Sequence, residues 1–211
     1  MHKTVAVVYL QLKKDIALGY YAPGQALNVR DIAEKLNVSP TPVREALVRL
    51  ESEGHVQTFP DKGAYVSEIS LQHFKDITET RLFLINLLGR LAVRRITDEE
   101  ISGLEKLASQ LAGRPKRSEV LDIAMRFHQA LYQSTKNQDL AGILGNLHEK
   151  VNRLWFFVPE KMNQPADLME EYCAVITALR KRDEKECITA LRRNKLRFVK
   201  LVQEVLLDNE F

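Results

Sequence analysis

The chain has little of several things, and each shortage narrows what it does. Of its 211 residues, two are cysteine and one is tryptophan. Cys173 and Cys187 stand at no motif spacing, which excludes a disulfide framework and a cysteine-built metal site; they read as reduced thiols, as in a cytoplasm. No apolar run is long enough to span a bilayer and the N-terminus carries no signal-peptide pattern, so the expectation is a cytoplasmic protein with no membrane partner. Low-complexity segments and internal repeats are missing. A Ser-centred elbow, a phosphate loop and a paired Cys/His cluster are also missing, which counts against an enzyme. Asp122 and His128 do not rescue catalysis: their spacing puts the carboxylate where it cannot orient the imidazole. Nor is charge of one sign in excess. The net charge is +3, and the first third of the chain holds roughly as many acids as bases. Any polyanion would be bound through the placement of a few basic groups.

What is present begins at Val29 and runs to Gly54, V-R-D-I-A-E-K-L-N-V-S-P-T-P-V-R-E-A-L-V-R-L-E-S-E-G. This reads as two short helices joined by a tight turn. Asn28 caps the first, Ile32 and Leu36 give it an apolar stripe, and Asn37 suits the left-handed residue that stops it. Ser39 is expected to cap the second, with Pro40 and Pro42 in its first turn, where a missing amide is tolerated. Val43, Leu47 and Leu50 face inward. The outer side opens with Ser39, Thr41 and Arg44, small hydroxyls and a guanidinium suited to phosphate and guanine in a major groove. Arg30, Arg44, Arg49 and Lys62 are expected on one face. An ordinary helical hairpin with solvated charges fits the same residues. The next stretch favours the first reading. Val56–Thr58 and Ala64–Val66 look like two strands around a turn at Pro60–Gly63, a wing whose tip offers Lys62 and Gly63 to DNA.

The run V-S-P-T-P-V-R-E-A-L-V-R-L-E-S-E-G-H-V followed by K-G-A-Y-V resembles the winged-helix signature of the GntR family of bacterial transcription regulators. Position by position, the resemblance implies DNA contacts at Arg30, Thr41, Pro42 (through its backbone), Arg44, Lys62 and Gly63. One departure bears on operator sequence: the arginine common after the cap is Pro40 here.

After Leu71 strand signals vanish and apolar residues recur at helical spacing. The pattern predicts helices over 71–95, 98–112, 118–135, 138–157, 166–181 and 184–208, after a first helix over 4–18, with Gly19 to Gln25 a loop. The fold expected is mainly α: a winged helix-turn-helix over 1–69 and an all-α helical-bundle effector and dimerisation domain over 70–211. Polar residues interrupt the inward stripes of four helices: Arg81, His128, Tyr172 and Asn194. Singly, each is most simply satisfied by a neighbour; together they point to a polar ligand site, because a buried arginine needs an anion. Arg153 stands at the edge of its stripe. His148, near Trp155, fits a pocket wall, but on a helix edge it reads more simply as solvated or capping. The basic run Arg192, Arg193, Lys195, Arg197 and Lys200 reads as a solvated face.

This half is similar to the all-helical ligand-sensing (FCD) domain of the FadR branch of the GntR family, through I-T-E-T-R at 77–81, R-F-H-Q-A-L at 126–131, N-Q-D-L at 137–140 and E-Y-C-A-V-I-T-A-L at 171–179. Many relatives hold a divalent metal, and through it a carboxylate effector, by an aspartate, a histidine one turn on and two later histidines. Those places are Ala124, His128, Tyr172 and Asn194, and an acid often found one turn after Arg81 is Ile85. Only the histidine survives, so no metal or other cofactor is expected. His128, Tyr172 and Asn194 would then hydrogen-bond an organic acid whose charge Arg81 and Arg153 counter. The resemblance implies a homodimeric regulator, most simply a repressor, on an imperfect palindrome of double-stranded DNA. A metal-dependent sensor and an architectural DNA binder without effector are the alternatives.

Overall fold

The computed structural model describes residues 2–68, 70–113, 115–156, 158 and 164–208; the side chains at 2–4, 71, 153, 156 and 205–208 lie outside that set. Backbone packing divides the chain into two compact units, Met1–Ser70 with Lys150–Phe156, and Leu71–Glu149 with Phe157–Phe211. The sequence predicts one cut, between residues 69 and 70; by backbone packing the segment Lys150–Phe156 groups with the first unit.

In the first unit α1 spans His2–Ala17, α2 Val29–Leu36 and α3 Pro40–Ser52. Asn28 caps α2 as expected, its side chain accepting from the Arg30 N–H. Asn37 ends α2 in the left-handed region at φ 52°, where its short polar side chain is tolerated. Val8, Leu12 and Ile16 of α1 pack with Ile32, Val43, Leu47 and Leu50 in one core. A three-stranded antiparallel sheet closes the unit in the order β1–β3–β2, with β1 Ala26–Leu27, β2 Val56–Phe59 and β3 Gly63–Val66. β2 and β3 pair from Val56↔Val66 to Phe59↔Gly63. The tight turn between them needs φ +61° at Asp61 and +91° at Gly63; the second is a region that side chains rarely enter. β1 was not anticipated: two residues give no alternation, and only pairing with Tyr65 and Ala64 defines them.

The second unit carries α4 (Leu71–Arg95), α5 (Asp98–Ser109), α6 (Arg117–Gln133), α7 (Gln138–Asn152) up to Glu149, α8 (Pro165–Arg180) and α9 (Glu184–Asp208). The expected helix over 98–112 tightens into a 3₁₀ turn at Gln110–Gly113, and that over 138–157 does so at Arg153–Phe156. Thr97 starts α5 with a complete capping box: its hydroxyl accepts from Glu100 N–H, and the Glu100 carboxylate accepts from Thr97 N–H. Around the buried Phe127, Leu131 and Tyr172, α4 packs on α9, α8 on α9, and α5 on α6 and α8. Among the described residues no helix is long and apolar enough to cross a membrane.

Candidate DNA-binding face and effector site

α3 presents Ser39, Thr41 and Arg44 to solvent, with Pro42 half-buried behind them; Arg30 on α2 and Lys62 and Gly63 at the wing tip are exposed too. Among the described residues the side chains of Arg30, Ser39, Thr41, Arg44 and Lys62 make no hydrogen bond or ion pair. Ser39 corrects an expectation. It occupies the cap position with extended backbone, yet its hydroxyl makes no capping bond. A cap side chain accepts from the second or third helical N–H, and the third residue is Pro42, which has none, so only the Thr41 N–H is left to it. The hydroxyl stays available to a phosphate.

Arg49 departs from the expected face. Its guanidinium stacks 3.8 Å from the centre of the Tyr9 ring and pairs with Glu53 at 3.5 Å. Glu53 also accepts from Tyr9 Oη at 2.7 Å and Lys13 Nζ at 2.9 Å. Arg49 therefore ties α3 to α1. Glu51 is occupied as well, accepting from Thr58 N–H at the start of the wing.

In the helical unit, His128, Tyr172 and Asn194 come together as expected. The His128 Nδ1–H donates to the Ala124 carbonyl at 2.9 Å, because a carbonyl only accepts; this leaves Nε2 with its lone pair. Tyr172 Oη lies 3.4 Å from Nδ1, and Asn194 Oδ1 lies 3.4 Å from Nε2. Tyr172 is held by parallel stacking on Phe127, with ring centres 3.7 Å apart. Arg81 joins through His148: its Nη2 donates to His148 Nδ1 at 2.8 Å, and the His128 and His148 rings lie 4.3 Å apart. The side chain of Arg153 lies outside the described residues.

Two residues read otherwise from sequence belong here. His148 is buried, not solvated; it follows Leu144 by one turn on the inward stripe of α7. Lys195 is 7% exposed, not part of the solvated run; it follows Leu191 by one turn and sits beside Asn194. Its Nζ donates to His128 Nε2 at 2.6 Å and to Asn194 Oδ1 at 3.2 Å. The available signal was the four-residue spacing from Leu191, which the charge run concealed.

Among the described residues, the cluster holds two basic side chains without a carboxylate paired to either. Arg81 and Lys195 are both buried, and among the described residues neither makes an ion pair. Glu171 is the nearby acid. It accepts from Asn194 Nδ2 at 2.5 Å, and its charge is matched by Arg197 at 3.2 Å, which also holds Asp167 at 2.8 Å. Burial, together with nearby cationic groups, holds both His128 and His148 well below the ordinary histidine range, so neither adds charge. Burial first, and then the Arg81 guanidinium, likewise hold Lys195 well below the ordinary lysine range, with Glu171 opposing, so its ammonium is disfavoured unless an anion lies beside it. Two donors find no acceptor: Arg81 Nε–H and the Nε2–H that His148 must carry when Nδ1 accepts from Arg81.

Comparison with known proteins agrees with both halves. Residues 4–66 match the family of bacterial regulatory proteins described as the gntR family, and residues 76–194 match the FCD domain. The chain is 30% identical over 170 residues to the Nta operon transcriptional regulator of Aminobacter aminovorans, covering 80% of each chain. It is 26% identical over 205 residues to the HTH-type transcriptional repressor RspR of Escherichia coli K12, covering 96% of this chain and 90% of that one. The solved structure of E. coli McbR/YncC has the same fold, with TM-score 0.87 at 24% identity over 95% of this chain and 97% of that one. These relatives are regulators rather than enzymes. A winged helix with a solvent-facing Arg44, joined to a helical domain of the FCD type that receives a small-molecule effector, places this chain in the GntR family as a DNA-binding transcription regulator.

Proposed function

We propose that this regulator is a homodimeric repressor, working in the cytoplasm, whose operator affinity is set by an organic acid held among Arg81, His128, Tyr172, Asn194, His148 and Lys195. The observation that carries the reading is a pair of buried basic side chains, Arg81 and Lys195, with no ion pair among the described residues, beside two N–H donors without an acceptor. Burying an unmatched charge costs several kcal/mol by order of magnitude, of roughly the size a carboxylate would offset. A carboxylate also accepts hydrogen bonds at both oxygens, as the Arg81 and His148 donors require.

Two helical domains pair and present two winged helices, so the operator is a short imperfect palindrome with half-sites about one helical turn apart. The acid binds two arrangements of the dimer unequally and thereby lowers DNA affinity. Repression follows the activity named for RspR. The test is a gel shift on DNA upstream of the protein's own gene, with and without organic acids. Arg81→Ala is expected to bind DNA normally and to lose the response. Loss of DNA binding in that variant would make Arg81 a structural residue and remove it from the site.

A further inference from the structure

Lys195 holds a position that, in chemical terms, belongs to a metal ion. The buried Lys195 Nζ donates to an imidazole nitrogen, His128 Nε2 at 2.6 Å, and to an amide oxygen, Asn194 Oδ1 at 3.2 Å, and an anion beside it would favour its charged form. The residues around it do not fit a divalent metal. Ala124 offers only its carbonyl, already taken by His128 Nδ1–H. Tyr172 stays a neutral phenol, since burial raises its hydroxyl well above the ordinary range. Among the described residues no three His, Cys, Asp or Glu side chains come together as a metal would need. The last lone pair of His128 is spent on the ammonium. One turn from Arg81 stands Ile85, buried in the apolar core, so no carboxylate at that place neutralises the guanidinium.

We propose that Lys195 is the built-in cation of this sensor: its ammonium, oriented by His128 and Asn194, binds the effector carboxylate directly, with Arg81 taking its second oxygen, and no metal takes part. For its ligand the inference rests on the anion-binding reading above; for the cation it rests on the Lys195–His128 contact alone. His128 is then a positioning residue that aims the ammonium.

The experiment is ¹⁵N NMR of the histidine rings in the full-length protein. Wild-type His128 should show the Nδ1–H tautomer with an Nε2 that accepts a hydrogen bond. In Lys195→Met, Nε2 should move to the position of a free ring nitrogen; Lys195→Arg should retain the shift of a hydrogen-bonded acceptor. Mn²⁺, added in excess, should leave the His128 signals sharp. Stoichiometric broadening by Mn²⁺, or a wild-type Nε2 already free, overturns the assignment of the cation whatever the fate of the ligand reading. Acetate, malonate and inorganic phosphate serve as probe anions. At least one should shift the His128 and His148 signals saturably, with Lys195→Met weakening it tenfold or more. If none of the three does so at high millimolar concentration, the anion-binding reading fails and direct capture by Lys195 fails with it. The tautomer and Mn²⁺ results would still report on the cation separately.

Discussion

Arg44 and Arg49 share a helix and carry out different tasks. Arg44 is exposed, and among the described residues its side chain makes no hydrogen bond or ion pair. Arg44→Ala should weaken operator binding at least fivefold, since a bidentate arginine–guanine contact contributes about 1–3 kcal/mol, and leave the melting temperature unchanged. Arg49→Ala should do the reverse: it removes the stack on Tyr9, lowering stability by about 0.5–1 kcal/mol in urea denaturation, with DNA affinity held. The same contrast of position governs the histidines. His128 and His148 both have proton affinity lowered by burial relative to the ordinary value of 6.5. Above that pH neither the folded nor the unfolded chain protonates them. Below it the unfolded chain takes up protons that the folded chain refuses, so stability falls with falling pH. Each histidine adds up to about 1.4 kcal/mol per pH unit to that slope. Urea midpoints on either side of neutrality should show the decline, and His148→Gln should make it shallower. An equal slope in that variant would mean His148 charges in the folded state.

At the scale of elements, two helix starts make opposite predictions. Thr97→Ala breaks a complete capping box and should cost about 1 kcal/mol. Ser39→Ala removes no cap bond and should leave unfolding within about 0.5 kcal/mol of wild type, while weakening DNA binding. Between α4 and α9, Gly89 permits close approach: a Cβ there would meet Ile188 Cγ1 at 2.6 Å. Gly89→Ala should destabilise the helical unit by about 1–3 kcal/mol, through overpacking that Ile188 cannot relieve by swinging away. Long helices were legible because their apolar spacing persists over several turns, and α4 and α9 match their expected ranges. Short features were not. β1 exists through its partner strand, and a proline three residues on removes one of the two N–H groups that Ser39 could cap. In the site, Arg81, His128, Tyr172 and Asn194 were legible as polar breaks in apolar stripes. Lys195 was hidden because neighbouring lysines and arginines make its charge look ordinary, and His148 because one histidine on a helix edge carries no sign of its partners.

For the whole molecule, the winged helix and the helical unit matter only if the state of one reaches the other. A ligand changes DNA affinity by its unequal binding to the two arrangements and by no more than that, which for coupled sites is typically about 5–150-fold. The measurement closest to this claim is fluorescence anisotropy of a labelled fragment from upstream of the protein's own gene, titrated with the regulator at low ionic strength and repeated across a panel of organic acids. The account predicts saturable binding, an affinity that at least one acid changes at least fivefold, and loss of that change in Arg81→Ala. A complex indifferent to every acid offered, or no complex at all, would contradict it.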